Sequence, residues 1–247
     1  MKIENAANMS AFKTPNAYGF SGVGVDDLGA SEYTLVTVVV DISGSVARYK
    51  DKLIACLKTI LESCQDDPRA ENLLLRVVKF REHVTELFGF RNLSEIGSDE
   101  FDTALDDIGG VTALFDGTHT SIDASMTYGS DLMKRGILVN AVNFILTDGY
   151  DNASKFGSSE VGKLLKKARL GECVESLLTI LIGITEDDKN IQDELKAFEK
   201  EADLDAFVDI GSATRKNLAK LAKFISQSIS SQSQSLGQGG PSKILTF

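Results

Sequence analysis

The run Leu35-Val36-Thr37-Val38-Val39-Val40, closed by Asp41-Ile42-Ser43-Gly44-Ser45, constrains the fold more than any other segment of this chain. An apolar stretch with no polar face predicts a strand buried on both sides, the kind found inside a parallel sheet. Gly44 then turns the chain, and a helical pattern starts at Ser45. One carboxylate and two hydroxyls therefore converge where a central strand ends and a helix begins. Open α/β sheets place their ligands at that location. Three hard oxygens suit Mg²⁺, Ca²⁺ or Mn²⁺ and give a soft metal little reason to bind.

The remaining pattern repeats strand and helix. Strands are predicted at 73–80, 137–147, 176–184 and 206–210, and Arg81-Glu82 turns the chain back into an antiparallel edge strand at 83–88. Helices are predicted at 45–64, 114–134, 159–170, 187–202 and 214–229, with a loop and short helix over 94–108. The first helix carries Leu53, Cys56, Leu57, Ile60 and Cys64 on one face, and the last carries Leu218, Leu221, Ala222, Ile225 and Ile229. This alternation predicts an α/β fold whose parallel sheet is covered by helices on both faces. Residues 1–30, rich in Gly, Ala, Asn and Ser, read as an N-terminal arm, 31–229 as the domain, and 230–247 as a flexible Ser/Gln/Gly-rich tail. The terminal Ile244-Leu245-Thr246-Phe247 is expected to be disordered rather than docked.

Composition narrows the function. Hydrophobic residues make up 43% and charged residues 25% of 247, the balance of a globular protein. A net charge of −10 argues against a nucleic-acid binder, because phosphate contacts need clustered Lys and Arg. The longest apolar run, Leu177 to Ile184, is too short to span a bilayer, and the N-terminus lacks the apolar core of a signal peptide. Cys56 and Cys64 are spaced about 12 Å apart along one helix, too far for a disulfide between them. Cys56, Cys64 and Cys173 read as buried thiols of a reducing compartment, so a cytoplasmic protein with no membrane association is expected.

Asp148-Gly149 closes the strand predicted at 137–147. If that strand neighbours the one ending at Asp41, the two lie about 4.8 Å apart and both carboxylates share one sheet edge. Thr112, in the loop Gly109-Gly110-Val111-Thr112, lies between them in sequence. Asp41, Ser43, Ser45, Thr112 and Asp148 are thus able to surround one cation. Two blander readings exist: the serines as helix caps and Asp148-Gly149 as a turn. They leave the agreement of five positions unexplained. A hydrolase with Ser43 or Ser45 as nucleophile needs a base, and the chain offers only His83 and His119. A phosphoryl-transfer site would want a second Asp where Ser43 stands, and no P-loop run is present.

Asp41-x-Ser43-x-Ser45, then Thr112, then Asp148-Gly149 resembles the metal-ion-dependent adhesion site (MIDAS) of von Willebrand factor type A (VWA) domains, and the resemblance covers about residues 33 to 229. It implies a Rossmann-like, doubly wound sheet of six strands in the order 3-2-1-4-5-6 with strand 3 antiparallel. It implies that Ser43, Ser45 and Thr112 contact the metal directly, that Asp41 and Asp148 act largely through water, and that a partner's Asp or Glu carboxylate completes the shell. The expected function is a metal-dependent protein-binding module or adaptor of the intracellular prokaryotic or phage type, not an enzyme. Mg²⁺ is the expected metal, with Ca²⁺ or Mn²⁺ as substitutes. An AAA+ ATPase or a stress or defence system is the setting such relatives suggest. The alternative is a structural subunit whose metal only holds loops. The acidic cluster Asp99, Glu100, Asp102, Asp106 and Asp107 reads as a solvated face, or as a rim that tunes which partner approaches.

Overall fold

A computed structural model describes residues 8–171, 173–238 and 245–247, with the side chains of 237 and 238 outside the description. In chain order the elements are β1 (Met9–Lys13), β2 (Gly19–Val23), β3 (Glu32–Asp41), α1 (Lys50–Gln65), β4 (Leu73–Phe80), β5 (Val84–Asn92), α2 (Leu114–Lys134), β6 (Leu138–Thr147), α3 (Ser158–Leu170), β7 (Ser176–Gly183), α4 (Lys189–Ala202), β8 (Ala206–Asp209) and α5 (Arg215–Gln238). They build one sheet in the order β1-β2-β5-β4-β3-β6-β7-β8.

β3 lies at the centre, parallel to β4 on one side and to β6 on the other. Its unbroken apolar run is used on both faces, because successive side chains of a strand point to opposite sides. Val36, Val38 and Val40 pack into a core with α1 and α5. Leu35 and Val39 pack into the other core, with α2, α3 and α4. Cys56 and Cys64 lie buried in the first core and are free thiols, and burial pushes both up to about 12. Cys173 is half-buried and also free.

The six strands β5-β4-β3-β6-β7-β8 have the expected order, and β5 is the antiparallel one. The sheet nevertheless has eight strands, because the N-terminal arm supplies two more. β1 and β2 form an antiparallel hairpin, and β2 joins β5 in parallel at Gly22 opposite Phe90. No alternation in the sequence announces these strands; the hairpin is held by aromatic contacts instead. Phe20 meets Phe90 edge-on, Phe90 stacks on Tyr128 at 5.0 Å, and the Tyr128 hydroxyl donates to Val23 O at 2.7 Å. The approach is so close that a Cβ on Gly89 would lie 2.1 Å from Ser21 O.

Two further boundaries differ from the sequence reading. Residues Gly44–Tyr49 form a 3₁₀ helix, so the α-helix begins only at Lys50. The last helix runs to Gln238, nine residues beyond 229. Its polar turns find partners in the fold: Gln232 O accepts from the buried Asn140 Nδ2 at 3.2 Å, and Ser233 Oγ accepts from Arg69 Nε at 2.9 Å. Residues 239–244 of the expected tail lie outside the described residues. Leu245 packs against the α1–α5 core, and the Phe247 ring meets Phe224 edge-on at 5.5 Å, so this end docks. The acidic segment over 99–107 is not a bare solvated face either. Lys58 holds Asp102, Lys50 holds Asp106, Lys79 holds Asp107 and Arg91 holds Glu100.

Candidate metal centre

The parallel register that pairs Val40 with Leu146 sets Asp41 beside Thr147, and Asp148 follows where β6 ends. The Asp41 carboxylate is fixed from two directions. Thr147 Oγ1 donates to Oδ2 at 2.7 Å, and Ser43 N donates to Oδ1 at 2.7 Å. Ser43 Oγ lies 3.2 Å from Ser45 Oγ, and Ser45 Oγ donates to Asp148 Oδ1 at 2.6 Å. Asp41, Ser43, Ser45 and Asp148 therefore form one hydrogen-bonded chain across the ends of β3 and β6.

Thr112 enters from the other side. Gly109 N donates to Ile42 O at 2.9 Å and Gly44 N donates to Gly110 O at 3.4 Å, which lays the glycine loop across the end of β3. Gly110 sits at φ +81°, in the left-handed region that favours glycine, and a Cβ there would also lie 2.5 Å from Glu82 Oε2. Thr112 N donates to Asn152 Oδ1 at 2.8 Å, and Asn152 N donates back to Thr112 O at 2.9 Å. The Thr112 hydroxyl faces Gly149, 4.0 Å from where a Cβ on that glycine would stand. Asp41, Ser43, Thr112 and Asp148 are buried, whereas Ser45 is exposed and marks the mouth.

Supporting residues absent from the sequence reading are Thr147, Asn152, Asp151, Ser154, Asp116 and Arg48. Asp151 Oδ1 accepts from Phe115 N at 3.2 Å and Ser154 Oγ accepts from Asp116 N at 3.0 Å, capping α2 from the loop that follows Asp148. Asp116 Oδ1 returns two bonds, accepting from Lys155 N and Phe156 N at 2.9 Å each. Each is an ordinary strand, helix or turn residue in sequence, and only the fold shows what it holds.

The electrostatics call for a cation. Burial pushes the Asp41 carboxyl up to about 6, against hydrogen bonds from Thr147 and Ser43 that favour the anion, and neighbouring Asp148 raises it further. Asp148 Oδ2 is buried with no hydrogen-bond donor among the described residues. The nearest positive charge is the Arg48 guanidinium at 3.7 Å. Burial, and then the Asp148 charge, also hold the Tyr49 hydroxyl far above its usual range. An orphaned carboxylate oxygen beside three hydroxyls is a donor set of hard oxygens, and a hard divalent cation fits it. Among the described residues no group of three or more His, Cys, Asp or Glu is placed to hold a metal, so a cation here would need the hydroxyls as well as the two carboxylates.

The histidines weighed as bases lie elsewhere in the bonding pattern. His119 on α2 stacks on Phe156 with ring centroids 3.9 Å apart, and burial lowers its pKa. His83 sits in the turn between β4 and β5. The Ser43 and Ser45 hydroxyls bond each other and Asp148.

With this geometry established, comparison with known proteins is direct. The family model described as von Willebrand factor type A domain matches residues 36–223, a span that contains all five oxygen residues. Among solved structures, the PilB minor pilin from Streptococcus sanguinis superposes with a TM-score of 0.60 at 16% identity, covering 91% of this chain and 67% of the pilin. Proximal thread matrix protein 1 from the mussel byssus, solved with a zinc-occupied MIDAS motif, gives 0.50 at 18% identity, over 79% of this chain and 45% of its own. The pilus adhesin SpaC from Lactobacillus rhamnosus GG in its open conformation gives 0.51 at 16% identity, over 93% of this chain and 35% of the adhesin. At these identities the likeness is one of fold. This chain spans about two thirds of the pilin and less than half of the other two proteins. No match was found among curated protein sequences. Among the described residues, no helix is long and apolar enough to cross a membrane.

Proposed function

The chain belongs to the von Willebrand factor type A domain family, and on that premise we propose that it is a metal-dependent protein-binding module. In this reading Asp41, Ser43, Ser45, Thr112 and Asp148 hold a Mg²⁺ ion, with Ca²⁺ or Mn²⁺ able to substitute. The hydroxyls are neutral, so the bound ion would keep enough charge to attract an acidic oxygen from a partner protein. The chain's own residues bind and orient: Thr147 and Ser43 N aim Asp41, Ser45 aims Asp148, and Asn152 fixes Thr112.

The observation that carries this reading is the surface around the mouth. Large hydrophobic side chains are exposed at five of the described positions, and two of them adjoin site residues: Val111 beside Thr112, 43% exposed, and Tyr150 just after Asp148-Gly149, 50% exposed. Apolar groups left in water beside a polar, buried charge site are what a protein-binding surface presents. The proposed partner offers an Asp or Glu, and an assembly built on an AAA+ ATPase in the cytoplasm is the first candidate to examine. Nucleic acid is not the proposed ligand, and the proposed role is not enzymatic. A pull-down from a native extract, with and without EDTA, tests the reading. Partners lost in EDTA and in Asp41→Ala support it; partners fully retained in EDTA contradict it.

One further reading is favoured by the way three loops meet at the site: a structural subunit in which the ion only ties together the end of β3, the 109–112 loop and the 148–157 loop. In that case Mg²⁺ raises the melting temperature while site variants keep every partner.

A further inference from the structure

Arg48 stands apart from the other charged groups near the centre. It lies on the 3₁₀ helix Gly44–Tyr49, three residues after Ser45. With three residues per turn, positions i and i+3 of such a helix eclipse each other, so Ser45 and Arg48 share one face. They hold the same carboxylate from that face. Ser45 Oγ donates to Asp148 Oδ1 at 2.6 Å, while Arg48 Nη2 approaches Asp148 Oδ2 at 3.7 Å.

The two holds differ in kind. The serine makes a short hydrogen bond. The arginine lies outside hydrogen-bond range, so only charge attracts it. The Asp148 side chain is wholly buried, whereas 57% of the Arg48 side chain is exposed. Among the described residues Arg48 makes no other ion pair; its guanidinium lies 5.5 Å from the Tyr49 ring centroid. An arginine built to stay is held differently in this protein. Arg76, fully buried, donates through Nε to Glu86 Oε1 at 2.8 Å and through Nη2 to Tyr18 Oη at 2.9 Å.

A loosely held, mostly solvated cation beside a buried carboxylate oxygen that accepts no hydrogen bond points to a replaceable charge. Resting on the metal reading above, we propose that Arg48 is a positioning residue that acts as an exchangeable counter-ion. It neutralises Asp148 while no divalent cation is bound, and it yields that carboxylate to the cation when one binds. The arrangement keeps Asp148 aimed into the centre by Ser45 throughout, since the bond to Oδ1 does not depend on the arginine. It also makes Arg48 a direct competitor of the metal, which sets the affinity of the centre.

The test is titration calorimetry with Mg²⁺, together with thermal unfolding in EDTA and in saturating Mg²⁺, on wild type, Arg48→Ala and Arg48→Lys. Removing the competitor is expected to tighten Mg²⁺ binding by about threefold to tenfold, the scale of a partly exposed ion pair. Arg48→Lys should fall between. In EDTA, Arg48→Ala should melt below wild type, and in saturating Mg²⁺ the two should coincide. Equal Mg²⁺ affinity in wild type and Arg48→Ala would overturn the inference, as would an equal loss of melting temperature in both conditions, which marks a purely structural arginine. Those outcomes leave the metal centre itself standing. Wild type that takes up no Mg²⁺ is a different failure, and it overturns both the centre and the role of Arg48.

Discussion

Asp41 carries the clearest pH dependence in the molecule. Burial raises its carboxyl from 3.8 to about 6 in the folded state. A carboxyl raised on folding binds its proton more tightly when folded, so its contribution favours the fold below the unfolded value and is lost as pH rises through the window from about 4 to 6. The cost of carrying Asp41 as an anion at neutral pH is about 3 kcal/mol, an order-of-magnitude figure. Asp41→Asn should therefore unfold in urea, in EDTA, at higher denaturant than wild type at pH 7.5, and the gap should close near pH 4. Bound Mg²⁺ favours the anion, so wild-type Mg²⁺ affinity should fall as pH drops below 6. A gap that does not change with pH would contradict the burial account. At this scale the sequence exposed the residues whose type and spacing are unusual together: Asp41, Ser43, Ser45, Thr112 and Asp148. It hid Thr147, Asn152 and Arg48, because a Thr in a strand, an Asn in a turn and an Arg in a helix are common and acquire their roles only through partners distant along the chain.

Besides its aromatic contacts, the β1–β2 hairpin is tied to β5 through one polar residue. Glu86 on β5 serves two masters: Oε1 accepts from Arg76 Nε at 2.8 Å, and Oε2 accepts from Ser21 Oγ at 2.7 Å and Ser21 N at 3.0 Å. It neutralises an arginine that is 0% exposed and at the same time anchors β2. Glu86→Ala leaves Arg76 without its anionic partner in the core, a change that costs about 3–5 kcal/mol. Chemical denaturation should show that loss, and limited proteolysis should cut the arm first. A loss below 1 kcal/mol would mean that the hairpin and the ion pair are independent of the fold. The acidic segment contrasts with this. Its pairs, such as Lys50 with Asp106, are largely exposed and are worth little singly. The arm was illegible in sequence because Gly19-Phe20-Ser21-Gly22-Val23 has no apolar alternation; its strand state comes from the neighbouring edge of β5. The end of α5 was illegible for a similar reason: a Ser/Gln run reads as solvated until Asn140 and Arg69 supply partners.

For the whole molecule, the alternation of strands and helices made a parallel sheet readable, the six-strand order was implied by the resemblance to VWA domains, and the pairing of β3 with β6 sets Asp41 and Asp148 on adjacent strand ends. That adjacency is the basis of the functional account. Two central strands deliver buried carboxylates to one edge, a glycine-marked loop delivers a third hydroxyl, and the fold leaves one carboxylate oxygen with no hydrogen bond and a loosely held arginine beside it. A cation in that position would join the end of β3, the 109–112 loop and the 148–157 loop, and binding at a hundred times the dissociation constant would add about 2.7 kcal/mol to stability. The most direct measurement is isothermal titration of the metal-free chain with Mg²⁺, beside Asp41→Ala and Thr112→Ala variants whose folding is checked by circular dichroism. The account predicts one site in wild type and none in Asp41→Ala, with Thr112→Ala weakened. Equal Mg²⁺ binding by wild type and a folded Asp41→Ala, or no binding by wild type, would contradict it.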